Sequence, residues 1–282
     1  MSLTATTPYV EASAEKDRSG FLSVLERHIR SRKLETSGTL LVIGASEGDA
    51  SVLRRAGWSS ITLSNFRAGG TNTICRDNYL ELDAEDLLLS DESFDAVGAY
   101  EVLHHCRSPH RALCEMLRVS RRYVFLQEPN DSVLYALLRR MGLLSAFEIP
   151  AVVANGFVSG GVRNTAVPNH IYRWNHSTVS QTVLSFVPDR VMYVHSYPYW
   201  ELNLTEFELS LRLNSRIGYA IKAAGGPRNF RRMLQIGQRI MNSVPPLRKI
   251  GNQFFCCIEK TDRLREWLLR EGSQVVFNRE FK

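Results

Sequence analysis

The chain has 282 residues, enough for one large domain, and its 44% hydrophobic and 23% charged residues are typical of a globular protein. No apolar run reaches the ~18 residues of a membrane span, and the polar N-terminus has no apolar signal segment, so we expect a cytoplasmic protein. Five cysteines without metal-site spacing predict free thiols and no metal centre, and the net charge of +6 indicates an anionic partner.

Strands and helices alternate in the prediction for the first half of the chain. A flexible N-terminus (1–18) and a first helix precede strands at "GTLLVIG", "SSITLSN", "YLELD", "FDAVGAYEVL" and "RRYVFLQEP", with helices at "ASVLRRAG" and "SPHRALCEMLRV". Short links between strands that are apolar on both faces are typical of a parallel α/β sheet covered by helices. The carboxyl ends of such strands share one rim, where ligands bind.

The pattern changes after the fifth strand. The second half predicts helical pieces, a helix at "HSTVSQTVLSF", a strand at "RVMYVHSYPYW" and a last strand at "NQFFCCIEK". We therefore predict a single domain over 19–282, with lid-like insertions at about 131–176 and 204–248.

The first strand runs into "GASEGD", where two glycines, Gly44 and Gly48, stand four positions apart. A dinucleotide turn needs the spacing G-x-G-x-x-G, which lets backbone amides approach a pyrophosphate. Here the carboxylates of Glu47 and Asp49 would repel a pyrophosphate, whereas they would attract an ammonium or a sulfonium. The loop therefore predicts a ligand that carries a positive charge.

Residues 39–130 resemble the class I S-adenosylmethionine-dependent methyltransferases, in the type 11 subgroup that includes the ubiquinone/menaquinone-biosynthesis enzymes. The resemblance rests on the order and spacing of the glycine loop, "LDAEDL", "SFDAVGAYEVLHH" and "ALCEMLRVSRRYVFLQEPN", and "NHIYRWNHSTVSQTV" resembles a later segment of the subgroup. It implies a Rossmann-like, mostly parallel sheet whose last strand is antiparallel, a helical insertion before that strand, and S-adenosyl-L-methionine as the cofactor.

The resemblance also assigns the cofactor-binding residues, which follow the first four strands. Gly44, Ala45, Ser46 and Gly48 would form the turn under the methionine part of the cofactor, and Asn65 would bind the ribose. Asp83, Ala84 and Glu85 would contact the adenine, and Glu101 would lie near the amino-acid end. Asp83 has an alternative interpretation as a helix cap, a common role for Asp before a helix.

Departures from the family pattern bear on the cofactor. Val42 replaces an acid, Ser46 replaces a glycine, and Asn65 replaces the carboxylate that would form charge-assisted hydrogen bonds to the ribose. The strand pattern does not depend on these positions, so the fold prediction stands. The alternative function is a catalytically degenerate methyltransferase fold that acts as an interaction scaffold.

Four side chains are candidates for the acceptor side of the site. Methyl transfer needs in-line approach to the methyl group and often a base, for which we consider His105, after the fourth strand, and His170, in "NHIYRW". Tyr172 and Glu128 are candidate substrate contacts. The alternatives are a structural histidine for His105 and a surface acid at a strand end for Glu128.

We predict methyl transfer to oxygen, or as second choice nitrogen, of a small-molecule, sugar or lipid-linked acceptor in a biosynthetic pathway. Nucleic acid is disfavoured, because the chain has no recognised RNA-binding module and no Asn-Pro-Pro-Tyr-type motif. The segment 209–258 contains nine Lys and Arg residues and no Asp or Glu. It predicts either a solvated helix face or a basic surface that attracts an anionic acceptor or an anionic membrane.

Overall fold

The computed structural model describes residues 19–45, 47–66, 78–142, 144–202, 204, 209, 213 and 218–281. The predictions for Ser46 and for a flexible 1–18 segment lie outside these residues, as does part of the insertion predicted at 204–248.

Seven strands form one sheet in the order β3-β2-β1-β4-β5-β7-β6. Strand β7 runs antiparallel to both of its neighbours, whereas β1 to β5 pair in parallel. The Rossmann-like sheet predicted from the sequence, with its antiparallel last strand, is therefore confirmed. The strands are β1 (Thr39–Ile43), β2 (Ser60–Asn65), β3 (Tyr79–Glu81), β4 (Phe94–Tyr100), β5 (Ser120–Pro129), β6 (Arg190–Tyr199) and β7 (Gln253–Leu264).

A two-stranded hairpin follows the sheet, so the prediction that "NQFFCCIEK" is the final strand is wrong. Its strands are β8 (Leu268–Glu271) and β9 (Gln274–Phe277), which pair antiparallel. Gly272 has a φ of 62°, a conformation that glycine adopts at little cost, and it allows the short connection between them.

Helices cover both faces of the sheet because successive residues of a buried strand point to opposite sides. Leu40 and Val42 pack with α1 and α2, and Leu41 and Ile43 pack with α3 and α6. The helices are α1 (Ser19–Arg30), α2 (Glu47–Ala56), α3 (Pro109–Val119), α4 (Val133–Arg140), α5 (Ile149–Ala154), α6 (His176–Phe186), α7 (Gly218–Ala223), α8 (Pro227–Ser243) and α9 (Pro245–Lys249).

The helical insertions lie where the sequence pattern indicates helix. Helices α4 and α5 fall between β5 and α6, and α7 to α9 fall between β6 and β7. No helix in the described ranges is both long and apolar enough to cross a bilayer. The domain limits themselves stay a prediction.

Strand register brings the loop ends together on one rim. Ile43 at the end of β1 pairs with Ala99 of β4, and Ala99 pairs in turn with Leu126 of β5. The turn after β1, the exit of β4 and the last residues of β5 therefore face one another.

Candidate active site

The turn after β1 has no room for a side chain at its first glycine. Gly44 has a φ of 62°, and a Cβ atom built on it would lie 2.6 Å from Cγ2 of Val102 in the β4 exit. The amide of Ala45 donates to the Ser64 carbonyl at 2.9 Å, which ties the turn to β2. Gly48 lies in the first turn of α2. Gly44 is therefore required by the close packing of this turn against Val102.

The side predicted for adenine and ribose holds an arginine from the first insertion. Arg163 places Nη1 2.8 Å from Oδ2 of Asp83, and its guanidinium lies 4.5 Å from the ring centroid of Phe66. Asn65 is exposed, and its Oδ1 accepts from the Phe66 amide at 2.8 Å. Asp83 also accepts from the Glu85 amide at 3.0 Å, but no helix follows it, so its alternative interpretation as a helix cap is wrong.

Glu85 is buried and fixes the segment that follows the β4 exit. Its carboxylate accepts from the amides of Arg107 at 3.0 Å and Ser108 at 2.8 Å. The neighbouring Ala84 is 7% exposed. Side-chain contacts with a ligand at these two positions are therefore disfavoured, as expected for residues that present backbone.

Glu101 follows β4 with a φ of 52°, a left-handed conformation that costs energy in a non-glycine residue and often marks a functional position. Its Oε1 accepts from Nε2 of Gln253 at 2.7 Å. The Oε1 atom of Gln253 is buried and has no hydrogen-bond partner among the described residues. A donor from a bound molecule would satisfy it.

Glu128 lies elsewhere than predicted for a substrate contact. It is 0% exposed, and its carboxylate binds the exit segment of β4 from inside the protein. Its Oε1 accepts from the amides of Val102 at 2.8 Å and Leu103 at 2.7 Å, and its Oε2 lies 2.6 Å from Nδ1 of His104. All three partners belong to the exit segment, so Glu128 organises the rim instead of lining the cavity.

The short 3-10 helix Leu103–His105 follows, and its first histidine is buried between carboxylates. Burial alone would lower the pKa of His104, but Glu128 and then Glu148, whose Oε2 lies 3.3 Å from Nε2, raise it to about 10. Burial would raise the pKa of Glu148, but His104 outweighs it and lowers it to about 2. An imidazolium therefore links β5 to the first insertion.

The second histidine faces a cavity of about 330 Å³. The side chain of His105 is 29% exposed, and its Nε2 lies 3.6 Å from Oε2 of Glu148. Burial and the neighbouring His104 lower the pKa of His105. The cavity is lined by Glu101, His104, His105, Pro129, Tyr135, Glu148, Ile171, Arg173, Asn252 and Gln253. It therefore brings two predicted site residues, Glu101 and His105, to one opening.

Among the described residues, one group has the composition of a metal site. Ligand atoms of His104, His105 and Glu148 all lie within 4.8 Å of one another. The hydrogen bonds of His104 to Glu128 and Glu148 account for this arrangement without an ion.

His170 and Tyr172 lie away from the cavity. His170 is exposed, and its ring packs edge-on against Phe147 at 5.6 Å. The hydroxyl of Tyr172 bonds to Nε2 of His110 at 2.8 Å. The structure therefore does not bring either residue to His105.

Sequence patterns missed Glu148, Arg163 and Arg173. Glu148 and Arg163 lie in the first insertion, where no motif marks them, and only the folded chain brings them to the rim. Arg173 stands in "NHIYRW", directly after Tyr172, and its charge in a segment with several apolar residues is the available signal.

Comparisons with known proteins find similarity to methyltransferases. Residues 58–125 match the family model of a methyltransferase domain. The chain is similar to a SAM-dependent methyltransferase from Archaeoglobus fulgidus, with 14% identity over 90% of this chain and 100% of that one and a TM-score of 0.49. It is similar to a chain of the complex between the Haloferax volcanii Trm112 methyltransferase activator and a methyltransferase, with 13% identity over 89% and 95% and a TM-score of 0.46.

A third similarity is to the magnesium protoporphyrin IX methyltransferase of Synechocystis PCC 6803, solved with bound SAH. Identity is 10% over 88% of this chain and 86% of that one, with a TM-score of 0.43. The residues that match the domain run from before β2 into β5 and include Asp83, Glu101 and His105.

Proposed function

We propose that this chain, a class I S-adenosylmethionine-dependent methyltransferase by its domain match and its strand order, methylates an oxygen atom of a small acceptor. The observation that carries the proposal is the cavity at the β4 exit. Glu101 and His105 both line this cavity, and we assign Glu101 to the cofactor side and His105 to the acceptor side. The acceptor in this proposal is a small molecule, a sugar or a lipid-linked compound, and an amine acceptor is the second choice.

The rim fits the methionine part of the cofactor. Glu101 and the unpartnered Oε1 of Gln253 offer acceptors to an ammonium group. When bound, the cofactor supplies an electrophilic methyl group on a sulfonium. We assign Ala45, Ser46 and Gly48 to the same turn, and Ser46 lies outside the described residues.

The acceptor proton goes to His105 in this proposal. A lowered pKa keeps its imidazole neutral near pH 7, so Nε2 can take the proton of an acceptor hydroxyl. The bound cofactor would supply the methyl group to the acceptor oxygen, and Nε2 of His105 would hold the proton that the hydroxyl loses. The ion pair between the buried His104 and the partly exposed Glu148 holds the segment that carries His105.

Asp83→Ala tests the adenine role. We expect S-adenosylhomocysteine affinity to fall by ~10–100-fold, because the adenine amino group loses its acceptor. Calorimetric titration measures the effect. Arg163→Ala is the matched control, since it removes the ion pair to Asp83 but leaves the carboxylate and uncovers the Phe66 ring. It should bind as tightly as the wild type or tighter. Equal weakening in both variants would assign Asp83 to holding Arg163.

Methyl transfer itself is tested by incubating the protein with methyl-labelled S-adenosylmethionine and panels of hydroxylated and amino acceptors. Label recovered as an ether supports oxygen, and label recovered on an amine overturns that choice. A wild type that binds S-adenosylhomocysteine yet labels none of the panel or of a cell extract would favour the interaction scaffold.

Helix α8 supports contact with an anionic lipid surface. One of its faces binds the body of the protein, since Asn242 Nδ2 donates to the Trp200 carbonyl at 2.9 Å. The opposite side leaves Met233, Ile236 and Ile240 between 57% and 59% exposed. Exposed apolar residues flanked by arginines are typical of helices that lie on membranes. The basic segment 209–258 therefore favours a lipid-linked acceptor.

Replacing Arg228, Arg231 and Arg232 by Gln should weaken binding to anionic vesicles by up to ~100-fold at low salt, because each basic residue contributes ~1 kcal/mol near such a surface. Co-sedimentation with phosphatidylserine-containing vesicles measures it, with zwitterionic vesicles as the control. If the wild type binds neither vesicle type, the arginines either attract a soluble acceptor or only form a solvated surface of the helix.

A further inference from the structure

Arg173 is a cavity residue whose guanidinium is held in a fixed orientation. It lies between the end of β5 and α4, where Nη1 donates to the carbonyl of Asn130 at 3.3 Å. Its Cζ lies 4.3 Å from the ring centroid of Tyr135. The remaining donors of the guanidinium have no hydrogen-bond partner in the part of the chain that the structure describes.

No carboxylate of the described residues forms an ion pair with Arg173. Asp131 acts on the pKa of Arg173 only from beyond ion-pair distance. Its side chain is exposed and accepts a hydrogen bond from Nδ2 of Asn175 at 3.3 Å. The two cavity carboxylates are engaged elsewhere, Glu148 with His104 at 3.3 Å and Glu101 with Gln253 at 2.7 Å. A half-buried guanidinium without an anion is costly, since burial of a charge is compensated mainly by pairing.

The stacked, planar fork is the geometry that binds carboxylates and phosphates through two parallel hydrogen bonds. Arg139, at the end of α4, adds a second positive charge nearby, and burial together with this charge lowers the pKa of Arg173. The cavity is therefore electropositive on the side of Arg173 and offers a neutral base, His105, within the same lining.

We propose that Arg173 binds an oxyanion of the acceptor, a carboxylate or a phosphate ester, while the hydroxyl to be methylated lies at His105. The inference rests on the proposed methyl transfer and names its substrate class, a hydroxylated anion. Arg173 sets specificity, since it selects acceptors that carry the oxyanion and orients their hydroxyl, and a neutral analogue would leave its guanidinium unpaired.

The test titrates phenyl phosphate and benzoate, with phenol as the neutral probe, into the protein with and without S-adenosylhomocysteine. The ¹⁵Nε resonance of Arg173, assigned with the Arg173→Lys variant, reports occupancy by NMR. We expect both anions but not phenol to shift it. Arg173→Gln should weaken anion binding by ~10-fold or more, because a charge-assisted pair is lost, while Arg140→Gln, on the exposed end of α4, stays within about twofold.

The variant Arg173→Lys distinguishes bidentate hydrogen bonding by the guanidinium from the effect of positive charge alone. It should recover only part of the affinity, since an ammonium offers no bidentate geometry. The tighter of the two anions identifies the group that the acceptor carries. Unchanged anion binding by Arg173→Gln, or an Arg173 resonance that does not move at saturation, overturns the inference. S-adenosylhomocysteine binding is followed on the same samples, and its absence counts against the methyl transfer proposal, separately from the anion titration.

Discussion

Glu128→Gln lowers the free energy of unfolding by ~3–5 kcal/mol, the range expected when one partner of a buried charge pair is removed. Glu128 is 0% exposed and satisfies two backbone amides of the β4 exit as well as Nδ1 of His104. A glutamine amide carries no charge and offers one acceptor oxygen where the carboxylate offers two. Chemical denaturation with a reversible two-state transition measures the loss.

Glu148→Gln is the matched control, because Glu148 is 30% exposed and has no part in holding the amides of the exit segment. Its cost should be clearly smaller. The pH dependence of the free energy of unfolding is a second, independent test. The pKa of His104 in the folded protein is about 10, above its ordinary value of 6.5, so its contribution is complete below pH 6.5 and disappears as pH rises through 10.

Wild-type stability should therefore decline from neutral to alkaline pH, and Glu128→Gln should show a shallower decline. Equal stability of wild type and Glu128→Gln would mean that His104 is neutral and that the exit segment is held by other contacts.

His105→Ala lowers turnover by ~100-fold or more while S-adenosylhomocysteine affinity stays level, since general-base catalysis typically contributes ~100–10,000-fold. His105 lines the cavity and is 29% exposed, so truncation removes a proton acceptor without opening the core. The lowered pKa of the side chain adds a pH signature. Wild-type turnover should rise with pH through a pKa below 6.5, and this limb should be absent in the variant.

His170→Ala is the control, because His170 is exposed and packs only its ring against Phe147. We expect turnover within about twofold of wild type, because surface substitutions away from the core and the active site have small effects. Loss of activity in His170→Ala together with full activity in His105→Ala would exchange the roles of the two histidines.

The fold was predictable because its signals are local and repeated. Four strands of buried type and the helices between them recur over residues 39–130, and right-handed crossovers leave few arrangements for such a pattern. Cys256 and Cys257 are free thiols that pack into opposite cores, as neighbours on a strand do. The sequence pattern did not predict the hairpin β8–β9, because its strands are short and mostly exposed.

The sequence placed residues at the rim where they lie at or just after the carboxyl end of a strand. Glu101 directly follows β4, and His105 lies in the 3-10 helix of the same exit. Glu128 lies at the end of β5, yet its side chain points into the protein, where it accepts from two amides of the β4 exit and contacts His104. Glu148 and Arg163 come from an insertion, and no spacing in the sequence places an insertion over a given part of the rim.

Calorimetric titration of the wild-type protein with S-adenosylhomocysteine tests the central claim most directly, because Val42, Ser46 and Asn65 all depart from the family pattern around the cofactor. We expect one site per chain with a dissociation constant between micromolar and sub-millimolar, which corresponds to ~4–8 kcal/mol. A folded wild type that shows no binding heat at millimolar ligand, and no displacement of a co-purified nucleoside, would contradict cofactor use and leave a methyltransferase fold that serves as a scaffold.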